Sequence, residues 1–215
     1  MNKTIPIVPL GDSALLVRFG TRLGDDANRQ AQALARRLAE EPIAGVVEIV
    51  PSLVSVLVRY EPRDIDPNRL AGEISLRLGV PDVSAPTEHG IGVRFGGADG
   101  PDMEEVAARL KLDVPEFIAQ HCVRPLRVLA TGFAPGFVYC GIHPENLAVP
   151  RRLQVRPLVP VGSVLFAAGQ TAIAATEIPT GWHVIGRTDF VNFDPGRMPP
   201  THLAAGDMVR FEALP

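Results

Sequence analysis

Lysine is nearly missing from these 215 residues: Lys3 and Lys111 are the only two, and every other cationic side chain except histidine is arginine. There is no GxxxxGK[ST] pattern, and Lys111 is the only lysine beyond residue 3, so an independent P-loop nucleotide site is excluded. A biotin-carrier Met-Lys pair is lacking too. Neither GxSxG nor SxxK is present to supply a nucleophile. The histidines show no HxxxH or HExxH spacing and no cysteine partner, so no metal site is expected. Two cysteines, Cys122 and Cys140, give no CxxC and no disulfide framework, and read as buried thiols of a reducing compartment. No apolar run approaches the ~20 residues of a membrane helix. The opening Met1-Asn2-Lys3-Thr4-Ile5-Pro6 has neither the apolar core nor the length of a signal peptide. With a formal net charge of -3, no global field points to nucleic acid or membrane, and a soluble cytoplasmic protein is expected.

Apolar residues make up 46% of the chain, ample for a packed core in one large domain or two small ones. Ser13–Phe19 reads as a strand entered through a Gly11-Asp12 turn. Ala27, Ala31, Leu34, Ala35 and Leu38 recur at helical spacing, which predicts an amphipathic helix over 25–40, closed by Pro42 and Gly45. Val46–Val50 and Ser55–Tyr60 read as paired antiparallel strands. Pro67 fits the first turn of a second helix that buries Leu70, Ile74 and Leu78. This β-α-β-β-α order predicts a small α+β N-terminal domain, residues 1–84, with its helices on one face of the sheet. Gly79–Thr87 reads as a linker with its boundary near Ser84. In the second domain, residues 85–215, the strand Ile91–Phe95 leads through Gly96–Asp102 into a helix over Met103–Leu110. A second helix starts after an Asp113 N-cap. Beyond Arg127, short apolar segments alternate with Gly/Pro turns, the texture of a mainly-β sandwich or barrel.

Gly132–Thr188 concentrates glycine, proline, aromatic and arginine residues, including the single Trp. Gly132-Phe133-Ala134-Pro135-Gly136-Phe137-Val138-Tyr139 suits either an aromatic pocket wall or a tight barrel corner. Between Cys122 and Thr176 stand Arg124, Arg127, Arg151, Arg152 and Arg156 against one acid, Glu145. Their forked donors suit a carboxylate or phosphate, and equally acids from elsewhere in the fold. Gly169-Gln170-Thr171 offers an amide, a hydroxyl and an unhindered backbone, or a plain polar turn. Strand alternation places His183, Ile185 and Arg187 on one face, with His183 either an acid/base group or a structural histidine.

These residues resemble the allophanate hydrolase subunit 1 family, which includes KipI and the 5-oxoprolinase subunit PxpB. The resemblance rests on Gly132–Cys140, Pro150-Arg151-Arg152, Gly162-Ser163-Val164, Gly169-Gln170-Thr171 and Pro179–Thr188, with Gly11–Leu15 and Gly96–Asp102 also matching. Departures fall at Val138, Ala168, Ala174, Ala175 and Thr180. The resemblance implies an α+β N-terminal domain followed by a mainly-β cyclophilin-like barrel. It implies a subunit, inactive alone, of an ATP-dependent 5-oxoprolinase that opens the lactam of 5-oxo-L-proline to L-glutamate. Its partners would be an allophanate hydrolase subunit 2 protein of the PxpC or KipA type and a PxpA-type protein. No cofactor is expected on this chain alone; ATP with Mg belongs to the complex. The alternatives are a carboxyltransferase subunit of a biotin-dependent urea (amide) carboxylase, or a KipI-like inhibitor of a sensor histidine kinase. The catalytic candidates are Gln170, Thr171, His183 and Arg187. The substrate-binding candidates are Phe133, Pro135, Gly136, Phe137, Tyr139, Arg151, Arg152, Gly169, Trp182 and Thr188.

Overall fold

A computed structural model describes residues 5–79 and 86–215. The chain divides into two compact units, residues 1–85 and 86–215. The boundary expected near Ser84, with most of the linker around it, lies outside the described residues.

The first unit runs β1 (Ile7–Pro9), β2 (Ala14–Arg18), α1 (Asp25–Glu40), β3 (Val46–Pro51), β4 (Ser55–Tyr60) and α2 (Pro67–Ser75). Its antiparallel sheet has the order β1-β2-β4-β3. The short β1, held between Pro6 and Pro9, has no counterpart in the sequence-based expectation, being too short to show a period. Alternation sends Leu15, Val17, Val56 and Val58 to the face covered by Leu34, Leu38, Leu70 and Ile74 of the helices. On the other face the register aligns Val8, Leu16, Leu57 and Val50 in one row across all four strands. Asp66 caps α2 by accepting from Asn68 N (2.8 Å) and Arg69 N (3.2 Å), with Pro67 in the first turn. The helix stops at Ser75, short of Leu78, which still packs on this core.

The second unit begins with β5 (Glu88–Phe95), α3 (Met103–Leu110), α4 (Val114–Cys122), β6 (Leu126–Thr131) and β7 (Val138–Gly141). After a 3₁₀ turn at Glu145–Leu147 follow β8 (Arg156–Val159), β9 (Ser163–Ala167), β10 (Gln170–Ile173), β11 (Ile178–Thr180), β12 (His183–Arg187) and β13 (Met208–Ala213). Seven strands close a barrel in the order β10-β7-β6-β13-β5-β12-β9, while β8 and β11 form a separate ribbon. Ile91, Val93, Val138, Val164, Phe166, Ile173 and Phe211 fill the barrel with Phe117 of α4 and Met103 of α3. The alternate residues Leu165, Ala167, Ala172, Ala174 and Val184 pack on the outside under Phe137, Trp182 and the ribbon's Val159 and Ile178. A capping box starts α4: Asp113 accepts from Glu116 N (2.7 Å) and Glu116 accepts from Asp113 N (3.0 Å).

All barrel pairs are antiparallel except β5 with β13. Following that alternation round the barrel brings the ends of β5, β7, β9 and β13 and the starts of β6, β10 and β12 to one rim. The motif residues Gly169, Gln170, Trp182 and His183 therefore gather there.

The β9–β10 hairpin turns through Ala168 and Gly169, both left-handed (φ +50° and +70°), between the paired Ala167 and Gln170. A two-residue turn of this hand suits the twist of its strands, and a Cβ in that region costs roughly 1–2 kcal/mol. Ala168→Gly should therefore raise stability by about 0.5–1 kcal/mol after the added chain entropy, measured by urea unfolding.

Candidate functional site

Strand alternation sorts the motif residues onto two sides of the barrel wall. On the outer side, Gly141, Gln170 and Ala167 lie in one cross-strand row, and Tyr139, Ala172, Leu165 and Val184 in the next. The small side chains make a floor on which larger rings lie. Phe133, Phe137, Tyr139 and Trp182 form a continuous strip, with successive centroids 5.5, 4.8 and 5.9 Å apart and edge-on geometry at each step. Phe133 is the exposed end; Phe137 and Trp182 are buried. The Arg151 guanidinium sits over the Trp182 ring, 5.6 Å from its centroid. Burial raises the Tyr139 phenol pKa, and the charge of Arg151 pulls it back. Gln170 is buried beside the strip, and its Oε1 has no hydrogen-bond partner among the described residues. One cation over aromatic walls suits a small planar anion.

The other arginines of the run are engaged. Asp102 Oδ1 accepts from Arg152 NH1 (2.6 Å) and Arg156 NH2 (2.7 Å), and Oδ2 accepts from Val184 N (2.8 Å). Asp102 N also donates to Val184 O (3.0 Å). Asp102 precedes α3 at the N-cap position, yet its side chain makes no cap hydrogen bond, forgoing about 1 kcal/mol of helix stabilisation. The Gly96–Asp102 loop approaches β12 because Gly100 has no side chain: a Cβ there would stand 2.2 Å from Ile185 O. Arg152 thus reaches a carboxylate that sequence distance hides, since Asp102 lies 50 residues away.

Thr171 and His183 point into the barrel instead. Each pairs across the ladder with Phe166, a core residue. Thr171 Oγ1 lies 2.8 Å from His121 Nε2 and 2.8 Å from His143 Nε2. A hydroxyl donates only once, so at least one imidazole donates to it. Cys122 Sγ stands 3.7 Å from His121 Nδ1, and burial pushes its thiol up to about 11. His183 Nε2 donates to Pro150 O (3.1 Å), and its Nδ1 is buried without a partner among the described residues.

The remaining candidates are spread around this wall. Gly136 lets Ala175 and Phe193 close in, at 2.8 and 2.6 Å from where a Cβ would stand. Pro135 is exposed in the turn before it. Gly169 O accepts from His143 N (2.8 Å), and Thr188 Oγ1 accepts from Phe190 N (3.1 Å). The expected shared face of His183, Ile185 and Arg187 is corrected by a bulge between Val184 and Gly186. The extra residue flips parity: Ile185 is in the core, Gly186 lies against Val93, and Arg187 opposes Ser163 and Arg94 on the outside. Arg187 donates from Nε to Val161 O (3.2 Å), at the opposite end of β12 from Trp182. Sequence pattern does not single out Asp102, His121 or His143 as site residues; only the Gly96–Asp102 motif carries a signal.

The chain matches the family model described as carboxyltransferase domain, subdomain C and D, over residues 5–203. It is 34% identical over 226 residues to the B subunit of the 5-oxoprolinase of Bacillus subtilis (strain 168), covering 98% of this chain and 93% of that one. Among solved structures, TTHA0988 superimposes with a TM-score of 0.83 at 34% identity over 94% of this chain. The chain spans only 40% of the length of TTHA0988. The K. lactis urea amidolyase shares the fold, with a TM-score of 0.78 at 15% identity over 98% of this chain and 15% of that one.

The interior histidines set an acid limit. Burial, aided by Arg124, lowers His143 to about 4 from its ordinary 6.5; burial and then His143 hold His121 well below its usual value. The unfolded chain takes up these protons near pH 6.5 and the folded one does not. Stability that is complete above pH 6.5 is therefore lost as pH falls toward 4, by roughly 3 kcal/mol for His143 alone. Urea unfolding from pH 7.5 to 4 should show this slope, and His143→Gln should flatten it.

Proposed function

Because the chain belongs to the family described as carboxyltransferase domain, subdomain C and D, we propose that it is the B subunit of a 5-oxoprolinase. The observation that carries this reading is the near full-length 34% identity to the B subunit of a bacterial 5-oxoprolinase, with the aromatic and arginine site inside the matched region. In this reading the enzyme opens the lactam of 5-oxo-L-proline to L-glutamate in the cytoplasm. The second unit's barrel is of the cyclophilin-like kind, used as a binding scaffold.

The substrate is a small ring bearing one carboxylate and one amide. Arg151 holds the carboxylate against Trp182 and Tyr139. A lactam carbonyl is a poor electrophile, and opening it needs activation that this chain's residues do not supply. The arginines beside Asp102 are already paired, and no group of three or more metal-binding side chains occurs among the described residues. This donor set does not fit a magnesium nucleotide, so ATP and the reacting water are assigned to partner subunits of the PxpC (KipA) and PxpA types. The chain is accordingly inactive alone.

The family description, carboxyltransferase domain, supports a second reading, a carboxyltransferase part of a biotin-dependent urea carboxylase. Co-purified subunits should release glutamate from 5-oxoproline only with ATP; avidin-sensitive carboxylation instead would favour the second reading, and neither activity would sink both. In the active complex, Arg151→Ala should raise KM for 5-oxoproline by roughly 10–100-fold, the weight of one charge-assisted contact.

A further inference from the structure

Three arginines stand within six residues, Arg151, Arg152 and Arg156, and they have two different fates. Arg152 and Arg156 converge on one carboxylate oxygen of Asp102, whose side chain is 6% exposed. Arg151 is paired with no carboxylate among the described residues and lies over Trp182. The segment between is exposed, Leu153 fully so, and makes little packing of its own. What fixes its course is Asp102 at its side chains, the Arg152 N to Gly181 O bond (2.7 Å), and the acceptance of His183 Nε2 by Pro150 O. Asp102 in turn is held to Val184, two residues from Trp182, through both its backbone N–H and its Oδ2. One side chain thus ties the arginine run and the start of β12 to the same point.

We propose that Asp102 is a positioning residue for an anion site: by gripping Arg152 and Arg156 against β12 it presents Arg151 over Trp182 as the guanidinium left free for a carboxylate or phosphoryl group. The proposal rests on the reading that this aromatic face is where ligand binds, and it concerns binding rather than the chemical step. A buried carboxylate between two arginines is poor evidence of stability, since well-packed apolar groups often do as well. Here the side chain also gives up its capping position, which fits a role in placement.

Charge and placement predict opposite signs. Removing the Asp102 charge makes the region more positive and releases two arginines, which by charge alone would tighten anion binding. If Asp102 positions Arg151, the same change weakens it. Trp182 is the single tryptophan, so its indole N–H gives one unambiguous signal in a ¹H–¹⁵N spectrum of the full chain. Titrated with acetate, and separately with inorganic phosphate, the wild-type signal should shift saturably, the tighter of the two identifying the anion. Arg151→Ala should abolish the shift. Asp102→Asn should weaken binding about tenfold or more despite the added positive charge, in keeping with loss of a charge-assisted contact. Should that variant not fold, Arg152→Gln leaves Asp102 bound to Arg156 and Val184, and should weaken binding severalfold. Unchanged or tighter binding in whichever variant folds overturns the proposal, as does a wild-type signal that responds to neither anion. No catalysis enters this test, so failure of the 5-oxoprolinase reading would show separately, as absent glutamate formation.

Discussion

The carboxylate of Asp102 is the interaction on which the outer face of the barrel depends. Its two oxygens take two guanidinium N–H groups and one backbone N–H, and its own N–H closes a pair with Val184. Such a group is costly to desolvate, and its partners return that cost only while all of them are in place. The consequence is a shared anchor: the loop after β5, the arginine run that leads into β8 and the start of β12 meet at one carboxylate. Gly100 is the steric condition for this, because any side chain there would collide with the β12 backbone.

The barrel wall then separates two kinds of polar chemistry that look like one motif in the chain. Gln170 and Thr171 are neighbours, yet one faces the aromatic strip and the other two imidazoles in the core. The interior network is neutral and packed among Phe95, Phe117, Phe166 and Phe211. It fixes α4 and the segment after β7 to β10, so it specifies the barrel's packing. The outer face, by contrast, retains the Arg151 guanidinium with no carboxylate partner among the described residues, a group that a ligand would satisfy.

Much of this is legible in the sequence wherever a local rule governs. Helical spacing finds α1 and α2, and Pro67 and Asp113 mark helix starts, since these depend on neighbours within one turn. The barrel texture follows from short apolar runs between turns. What escapes reading is non-local. The partnership of Asp102 with Arg152 spans 50 residues and a change of layer. His121 and His143 meet only because α4 and the loop after β7 close on the same strand residue. The bulge in β12 inverts the face of Arg187 by one inserted residue, and nothing in His-Val-Ile-Gly-Arg announces it. The departures at Ala174 and Ala175 have a structural setting: Ala174 is fully buried under the aromatic strip, and Ala175 meets Gly136 at the turn that launches it.

The parallel pairing of β13 with β5 carries a further consequence. Since Met208 pairs with Glu88 and Ala213 with Val93, β13 runs out toward the rim where β5 enters the Gly96–Asp102 loop. Any polypeptide fused downstream of β13 would start its path at the rim that holds Asp102, Trp182 and Gln170. A tether anchored there turns an encounter between molecules into one within a molecule, at an effective concentration set by the tether's length and stiffness. The strand order of the barrel thereby makes gene fusion a geometrically cheap way to deliver a second polypeptide to this face.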